Sequence, residues 1–282
     1  MKPEWLNKKI KLGECSGTKE LLRELGLETV CEQASCPNIG ECFSRSHATF
    51  LILGKVCTRH CSFCNIVKAR PIASDPGEPA RIAEAVGKLS LKHVVITSVT
   101  RDDLSDGGAR QFAETIREIR KKTPLVSIEV LIPDFKSSLN SIKAVVNAKP
   151  DIIAHNVETV PSLYKAVRSD SNYKLSLEVL RIIKELSPSL KTKSGIMLGM
   201  GEDQDEVTSV MRDLRSVGCD FLSIGQYLSP SKLHYPVEEY IDPERFAYYK
   251  KEGEAMGFLH IESAPYVRSS YHAAEYLANS AR

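Results

Sequence analysis

The sequence lacks long apolar runs and a leader-like start. Its longest apolar stretches, such as those at 50–53 and 152–154, are far shorter than the roughly 20 residues that a helix needs to cross a bilayer. Residues 1–14 are polar and carry lysines, and the apolar segment typical of a signal peptide does not follow them. We therefore expect a soluble, cytoplasmic protein without a membrane partner.

An excess of charge of either sign is also missing. The 282 residues include 38 Lys and Arg against 36 Asp and Glu, which leaves a formal charge of +2. Proteins that bind nucleic acid usually carry a basic excess or a clustered basic face, so nucleic acid is not expected as a partner. Internal repeats and low-complexity segments are absent. The length is compatible with one barrel-sized domain or with two smaller ones.

Cysteine, by contrast, is plentiful, with eight residues. Disulfides are rare in a reducing cytosol, where cysteines are more often metal ligands or catalytic groups. Six of the eight cysteines fall into two triplets, and the spacing within each triplet decides between these roles. Cys15 and Cys219 fit neither triplet, and we expect each to be a small apolar core residue or a surface bystander.

Short apolar runs alternate with helical patterns from residue 48 onward, which is the rhythm of a parallel β/α fold. Six strands are predicted, at 49–53, 93–99, 126–132, 151–156, 192–198 and 221–226. Helices with apolar residues at three-and-four spacing are predicted between them, at 79–89, 108–121, 138–148, 174–186 and 203–217. The fold class is therefore α/β, a partial (β/α)6 TIM-type barrel.

The remaining segments are assigned around this barrel, which spans 49–230. Residues 1–48 form an N-terminal extension that carries one cysteine triplet, and residues 231–282 form a C-terminal tail that closes the barrel. Chemistry in β/α barrels gathers at the C-terminal ends of the strands. Polar residues directly after each strand are therefore candidates for the site.

Cys57, Cys61 and Cys64 follow the first predicted strand in a C-x3-C-x2-C motif. Three thiolates close in sequence can hold a four-iron cluster and leave one iron open. The alternative is a zinc site, but zinc sites usually repeat C-x2-C or add histidines at set spacing. This chain has one C-x2-C, and we place His60 beside the site or at the surface. The motif resembles that of the radical S-adenosylmethionine (SAM) superfamily, in which the open iron binds SAM.

A second triplet, Cys31, Cys36 and Cys42, has the spacing C-x4-C-x5-C. Taken alone, it is compatible with a zinc site or a thiol relay. Beside a cluster motif, a second iron–sulfur cluster is the better interpretation, because this triplet also supplies three thiolates.

The two triplets, followed by Arg-Ser-Ser-Tyr at 268–271, resemble the signature of the lipoyl synthase family. The resemblance extends through Val-Thr-Arg-Asp-Asp-Leu at 99–104, His-Asn-Val-Glu-Thr at 155–159 and Ser-Gly-Ile-Met-Leu-Gly at 194–199. One stretch departs from it, because residues 169–171 read Ser-Asp-Ser, where the family pattern has a Pro-Gly-Ala-like turn.

The resemblance implies a sulfurtransferase that makes the lipoyl cofactor by inserting sulfur at carbons C6 and C8 of a carrier-bound N6-octanoyl-lysine. It implies two [4Fe-4S] clusters, one that binds SAM at the C-x3-C-x2-C triplet and an auxiliary one that donates the sulfur. Two SAM molecules would be used per product. The resemblance further implies that Ser270 is the fourth ligand of the auxiliary cluster. An alkoxide is displaced from iron more readily than a thiolate, which suits a cluster that must open. Without the resemblance, Ser269 and Ser270 would be interpreted as caps of a final helix near 272–278.

The resemblance also implies the partners. They are octanoylated carrier domains, such as the glycine cleavage H protein or the E2 component of a 2-oxoacid dehydrogenase. An electron donor such as flavodoxin or ferredoxin and iron–sulfur assembly proteins are expected as well.

Polar residues near the predicted strand ends are candidates for holding SAM through charge-assisted hydrogen bonds. These candidates are Asp102, Asn156, Glu158, Arg168 and Lys193. Plainer roles are open for two of them, since Asp102 also suits a solvated capping loop and Glu158 a salt bridge. Arg168 suits an acidic group of SAM or of the substrate.

Two other functions are open at this point. A radical SAM enzyme of another kind would insert sulfur into a nucleic acid base or free dethiobiotin, but the terminal motif and the position of the extra triplet argue against it. A non-catalytic iron–sulfur carrier or redox sensor would not need an open iron at each cluster. SAM cleavage under reducing conditions separates a catalyst from a carrier.

Overall fold

The computed structural model describes residues 2–7, 16–45 and 47–280, and Cys15 lies outside them. The chain divides into two compact units. One consists of Lys9–Arg59 and Asn65–Ile152, and the other of Met1–Lys8, His60–Cys64 and Ile153–Arg282. We name them the N-terminal unit and the C-terminal unit. Within the described ranges, no helix is long and apolar enough to span a membrane.

Short cysteine-bearing segments precede the regular β/α elements of the N-terminal unit. Its elements are α1 (Ser16–Glu24), β1 (Glu28–Thr29), α2 (Val30–Gln33), α3 (Ile39–Ser44), β2 (Thr49–Ile52), β3 (Val56–Cys57), β4 (Val67–Lys68), α4 (Glu78–Lys88), β5 (His93–Ser98), α5 (Ala109–Lys122), β6 (Ser127–Leu131) and α6 (Leu139–Asn147). Strands β1, β2, β5 and β6 are neighbours in this order. β1 is antiparallel to β2, whereas β2, β5 and β6 are parallel, with Thr49 opposite Val95 and His93 opposite Ser127.

Helices α4 and α5 each bury an apolar stripe, as their three-and-four spacing predicts. Val86 of α4 and Ile116 of α5 are fully buried. Gly108 precedes α5 with φ 90°, and a Cβ at this position would lie 2.2 Å from a methyl carbon of Leu53. Only glycine allows this close turn from β5 into α5.

The C-terminal unit continues the β/α alternation. Its elements are β7 (Ile152–Ala154), which begins at the last residue of the N-terminal unit, α7 (Tyr164–Val167), α8 (Tyr173–Leu186), β8 (Lys191–Leu198), α9 (Gln204–Ser216), β9 (Phe221–Gln226), α10 (Pro243–Ala255), β10 (His260–Ser263) and α11 (Ala273–Ser280). Strands β8, β9 and β10 are parallel neighbours, with Lys193 and His260 both opposite Phe221.

One apolar cluster forms the core of the C-terminal unit. It joins Leu214 of α9, Leu222 of β9 and Ile261 of β10. All six residues of β9 are buried, as expected for a parallel strand that is covered on both faces. Helix α9 begins with a capping box, in which the Asp203 carboxylate accepts the Glu206 N–H at 2.8 Å and the Glu206 carboxylate accepts the Asp203 N–H at 3.0 Å.

All six predicted strands are present, and no strand end differs from its prediction by more than two residues. The predicted tail contains more structure than expected, because α10 and β10 add a further β/α unit whose strand is parallel to β9. Local sequence patterns do not predict this unit, since His-Ile-Glu-Ser at 260–263 has a single apolar residue and the apolar residues of α10 show only weak helical periodicity. Cys219 is fully buried in the core cluster, which confirms the first of its two predicted roles.

Candidate cluster and cofactor site

The C-x4-C-x5-C triplet lies on two short helices of the N-terminal unit. Cys31 is in α2, Cys42 is in α3, and Cys36 lies between them. The Cys36 N–H donates to the Cys31 carbonyl at 3.0 Å, and the Cys42 N–H donates to the Asn38 carbonyl at 2.9 Å. These local hydrogen bonds turn the segment back on itself, so one short stretch of chain presents all three thiols.

Burial distinguishes the three thiols. Cys31 is 7% exposed, whereas Cys36 and Cys42 are half-buried. Burial raises the pKa of Cys31 to about 11; hydrogen bonding with Thr49 opposes the shift, and the nearby Cys36 adds to it. A metal ion that binds at Cys31 must therefore displace its proton.

The first residues of the C-x3-C-x2-C motif are fastened inside the N-terminal unit. Cys57 ends β3, and the next residue, Thr58, donates from its N–H and its hydroxyl to the Thr100 carbonyl at 3.1 and 3.0 Å. The Thr58 hydroxyl oxygen accepts the Asp102 N–H at 3.1 Å. The Arg59 N–H lies 3.4 Å from Cys57 Sγ and donates to it. The loop after β5 thus holds the backbone beside Cys57.

Two carboxylates hold the Arg59 side chain in the same unit. Its Nε and Nη2 donate to the two Asp102 oxygens at 2.7 and 2.9 Å. Its Nη1 and Nη2 donate to the two Asp134 oxygens at 2.5 and 2.7 Å. Burial works against the charged form, but these hydrogen bonds and charges outweigh it and raise the pKa of Arg59. Asp102, one of the predicted SAM contacts, is therefore half of an ion pair with an arginine inside the cysteine motif.

Cys61 and Cys64 lie in the C-terminal unit, where the Cys64 N–H donates to the Cys61 carbonyl at 3.2 Å. Ser62 donates from its N–H and its hydroxyl to the Val167 carbonyl of α7, at 3.0 and 3.3 Å. Phe63 packs against an apolar cluster that includes Val167. The aromatic residue before the last cysteine thus anchors this part of the motif on α7.

His60 lies at the surface, as predicted, with its side chain 70% exposed. Its N–H donates to Asp170 Oδ2 at 2.7 Å, and its Nδ1 lies 3.2 Å from the same oxygen. Asp170 belongs to the stretch that departs from the family pattern, and the turn there closes with the Ser171 N–H donating to the Arg168 carbonyl at 2.9 Å. The unusual turn therefore fixes the residue that precedes Cys61.

Three predicted SAM contacts come together in the C-terminal unit. Asn156 Nδ2 donates to Glu158 Oε1 at 3.1 Å, and Arg168 Nη1 donates to the Asn156 and Val157 carbonyls at 3.0 and 3.1 Å. Glu158 has φ 67° and is fixed to β8, since its N–H donates to the Gly195 carbonyl at 2.9 Å. Burial raises the pKa of Glu158, and the Arg168 cation opposes this only in part.

Arg168 is 8% exposed and has one polar atom without a protein partner. Its Nη1 also donates to the Tyr164 hydroxyl at 3.1 Å, whereas its Nε is buried with no hydrogen-bond acceptor among the described residues. Buried donors are nearly always satisfied in proteins. The unpartnered Nε therefore makes Arg168 a candidate for binding an acidic ligand group.

Lys193, another predicted SAM contact, is fully buried on β8. Its Nζ lies 3.7 Å from the centre of the Tyr276 ring, which belongs to α11. A cation over an aromatic face is stabilised electrostatically, and more strongly when it is shielded from water. This contact ties the C-terminal helix to the strand.

The Arg-Ser-Ser-Tyr segment forms a turn just before α11. The Tyr271 N–H donates to the Arg268 carbonyl at 2.9 Å, so Ser269 and Ser270 lie inside the turn. The Ser269 hydroxyl donates to Asn156 Oδ1 at 3.2 Å. The Ser269 hydroxyl therefore anchors the turn to the loop after β7.

Glycine at 225 allows the tail to approach β9. A Cβ on Gly225 would lie 2.1 Å from the Val267 carbonyl oxygen, a distance that no carbon side chain tolerates. The next residue, Gln226, donates its N–H to the Pro265 carbonyl at 3.2 Å. The backbone leading into the Arg-Ser-Ser-Tyr turn is therefore fixed by main-chain contacts.

Arg59 and Asp134 were not among the predicted site residues. One signal was available for each of them. Arg59 is an arginine between two predicted metal ligands, and Asp134 comes shortly after β6, where polar residues of β/α barrels are often functional. Arg59 and Asp134 are far apart in the sequence, so the spacing of residues could not predict that they form a pair.

The model of the radical SAM superfamily matches residues 51–214. Among solved structures, Streptococcus suis SuiB bound to the precursor peptide SuiA is similar, with a TM-score of 0.61 at 10% identity over 92% of this chain and 54% of that chain. HydG, a maturase of the [FeFe]-hydrogenase, has a TM-score of 0.59 at 13% identity over 90% and 63%. Likeness at such low identity shows the fold, and it confirms the predicted fold class.

Curated relatives match almost the whole chain. The lipoyl synthases of Geobacter metallireducens and Geotalea uraniireducens are each 58% identical over 275 residues, which is 98% of this chain and 97% of each relative. The lipoyl synthase of Caldicellulosiruptor saccharolyticus is 54% identical over 97% of this chain and 96% of its own. With this identity over nearly full length, the chain belongs to the lipoyl synthase family of the radical SAM superfamily.

Proposed function

We propose that this enzyme inserts sulfur at carbons C6 and C8 of an N6-octanoyl-lysine on a carrier protein, with an auxiliary [4Fe-4S] cluster as the sulfur donor. The observation that carries the proposal is a second thiol triplet in a radical SAM chain. SAM cleavage requires one cluster with an open iron. The triplet at Cys31, Cys36 and Cys42 is therefore available for a different step, and membership of the lipoyl synthase family supports an octanoylated carrier as the substrate.

The side chains at both proposed sites fit iron–sulfur clusters by their chemistry. The seven described cysteines carry thiols, and soft thiolates are the ligands that iron–sulfur clusters prefer. All cysteines of the two triplets except Cys31 are half-buried, so an incoming cluster has access to them. We assign Cys57, Cys61 and Cys64 to the SAM cluster. The auxiliary cluster is assigned to Cys31, Cys36, Cys42 and Ser270.

A reduced cluster held by Cys57, Cys61 and Cys64, together with bound SAM, would supply the radical chemistry that removes hydrogen from unactivated carbons. The protein must orient SAM and exclude other hydrogen donors. Arg168 suits the SAM carboxylate, because its buried Nε has no acceptor among the described residues. Glu158 and Asn156 offer an acceptor and an amide beside it, suited to the amino group and the ribose hydroxyls.

Asp102 and Lys193 remain in the proposed SAM site. Each already has a protein partner, Arg59 for Asp102 and the Tyr276 ring for Lys193. A carboxylate that is paired on one side still has lone pairs for a ligand hydroxyl. Asp102 can therefore accept a hydrogen bond from SAM while Arg59 holds it, and Lys193 is kept in the proposed site for its positive charge.

The remaining parts of the proposal follow from two sulfur insertions. Two SAM molecules are used per product, and an electron donor such as flavodoxin or ferredoxin reduces the cluster for each. Iron–sulfur assembly proteins rebuild the consumed cluster. The substrates are octanoylated carrier domains, such as the glycine cleavage H protein or the E2 component of a 2-oxoacid dehydrogenase. The enzyme works in the cytoplasm, where thiol ligands stay reduced.

The test is iron and sulfide analysis of anaerobically reconstituted protein, with mass spectrometry of an octanoylated carrier peptide after incubation with SAM and dithionite. About eight irons per chain are expected, as two four-iron clusters require, and the peptide should gain two sulfurs in place of two hydrogens. About four irons per chain, or SAM cleavage with an unchanged peptide, would contradict sulfur insertion while leaving radical chemistry in place.

A further inference from the structure

Arg59 links three separate segments of the N-terminal unit. Its backbone N–H reaches Cys57 Sγ, and its guanidinium forms two-pronged hydrogen bonds with Asp102 after β5 and with Asp134 after β6. The guanidinium is 7% exposed and the Asp134 carboxylate 1%. Paired bonds of this kind fix direction as well as distance. The residues that follow β5 and β6 therefore fix the position of the segment that starts at Cys57.

The charges around Arg59 balance. Lys136 Nζ lies 3.9 Å from Asp102, so two cations face the carboxylates of Asp102 and Asp134. The group as a whole therefore places little net charge near Cys57. Variants that conserve these charges can therefore separate the effect of position from that of net charge.

Backbone strain after Asp134 supports a functional reason for this arrangement. Phe135, Lys136 and Ser137 all have positive φ, at 46°, 51° and 54°, and non-glycine residues in this region cost on the order of 1–3 kcal/mol each. The Asp134 carboxylate accepts the Lys136 N–H at 2.9 Å, so the strained turn aims the same carboxylate that binds Arg59. Strain of this kind persists where the surroundings enforce it.

We propose that Arg59, held by Asp102 and Asp134, is a positioning residue for the Cys57 thiolate and sets the reduction potential of the SAM cluster. The inference rests on the proposed assignment of Cys57 as a cluster ligand. A hydrogen bond to a ligand sulfur stabilises the reduced, more negative state of a cluster and so raises its potential. By keeping the Arg59 N–H on Cys57 Sγ, the guanidinium makes reduction of the cluster easier, which raises the share of enzyme in the reduced state that cleaves SAM.

Charge-conserving variants test position without changing charge. Arg59→Lys keeps the cation but loses the fork that binds both carboxylates, since an ammonium is a point donor. Asp134→Glu keeps the anion but moves it by one methylene. The matched controls are Arg120→Lys and Asp151→Glu, an arginine–carboxylate pair of the same unit that precedes β6 and β7, away from the cysteines.

The measurement is an anaerobic redox titration of the reconstituted holoenzyme, following the paramagnetic signal that changes when SAM is added. We expect Arg59→Lys and Asp134→Glu to lower the midpoint potential and to slow SAM cleavage about tenfold or more, the usual effect of losing support around a metal ligand. Both control variants should keep the wild-type potential. If Arg59→Lys does not fold, Asp134→Glu decides in the same assay.

A purely structural role for Arg59 gives a different result. It would lower the melting temperature and the iron content of Arg59→Lys, while molecules that hold the cluster keep the wild-type potential and cleavage rate; that result overturns the inference. Failure of the Cys57 assignment on which the inference rests is separate, because wild-type protein would then show no SAM-responsive cluster signal; failure of sulfur insertion alone would show as an unchanged peptide in wild-type protein.

Discussion

The Ser269 hydroxyl donates a hydrogen bond to Asn156 Oδ1 at 3.2 Å, and the Asn156 amide donates in turn to Glu158 at 3.1 Å. The terminal Arg-Ser-Ser-Tyr turn is thus connected directly to the group of residues proposed to hold SAM. Ser270, the next residue, is the proposed ligand of the auxiliary cluster. Two adjacent serines therefore have different predicted roles, and single substitutions can distinguish these roles.

Ser269→Ala and Ser270→Ala should differ in iron content. Ser269→Ala removes one hydrogen bond and is expected to cost on the order of 1 kcal/mol of unfolding free energy, with both clusters retained. Ser270→Ala removes a proposed ligand and should lower iron content and sulfur insertion, while SAM cleavage continues. Iron analysis and peptide mass spectrometry of both variants test this. Equal iron content in both would remove Ser270 from the ligand set.

Alanine substitution in the two cysteine triplets should block different steps of the reaction. Alanine at Cys57, Cys61 or Cys64 is expected to abolish SAM cleavage, because each supplies a thiolate to the cluster that binds SAM. Alanine in the C-x4-C-x5-C triplet should leave cleavage intact and stop sulfur insertion. Deoxyadenosine release and peptide mass measure the two steps. Loss of cleavage from the second set, with the SAM cluster intact, would contradict this division.

Cys219→Ala is the matched control for these variants. Cys219 is fully buried in the apolar core of the C-terminal unit, so its loss should lower the melting temperature through a small cavity. Cleavage and insertion per folded molecule should not change.

Stability should depend on pH through Glu158. Burial raises its pKa above 4.5, so the folded chain keeps a proton there at pH values at which the unfolded chain has lost it. The stability tied to this proton is full below the unfolded pKa and is lost as pH rises through the folded pKa. Relative to Glu158→Gln, the melting temperature of the apoprotein should fall as the pH rises above the ordinary glutamate pKa of 4.5. A difference that stays constant or grows with pH would count against this.

Gly225→Ala should displace the tail. The added Cβ would meet the Val267 carbonyl oxygen at 2.1 Å, and overpacking against backbone typically costs about 1–3 kcal/mol. We expect a lower melting temperature and less iron at the auxiliary site. The control is Gly17→Ala in α1, where a Cβ meets nothing within 4 Å and should be neutral or slightly stabilising. Equal behaviour of the two variants would show that the close approach is unimportant.

The fold was largely predictable from local patterns. Buried parallel strands such as Phe221–Gln226 are rich in apolar residues along their length, and the helices between strands carry apolar stripes. The sequence did not predict β10, because this strand is stabilised by pairing with β9 rather than by its own composition. The same reasoning explains α10, whose Phe246 and Tyr249 are buried although its periodicity is weak. The boundaries of the three predicted segments stay a prediction.

The site was less accessible to sequence reasoning. Spacing indicated the cysteines, and the family resemblance was confirmed by relatives that match nearly the full chain. The pairing of Arg59 with Asp134 joins residues 75 positions apart, and no local pattern encodes such a distance. Lys193 shows the same limit, because the Tyr276 ring above it comes from the last helix. Contacts made by tertiary packing require the structure.

The left-handed turn at Phe135, Lys136 and Ser137 limits how this enzyme tolerates protein engineering. Lys136 is exposed at φ 51°, so a screen for heat resistance alone would favour glycine or asparagine there, with a gain of about 1 kcal/mol. Such a variant would also relax the loop that aims Asp134 at Arg59. Thermostability and catalytic rate are thus expected to trade against each other at this position.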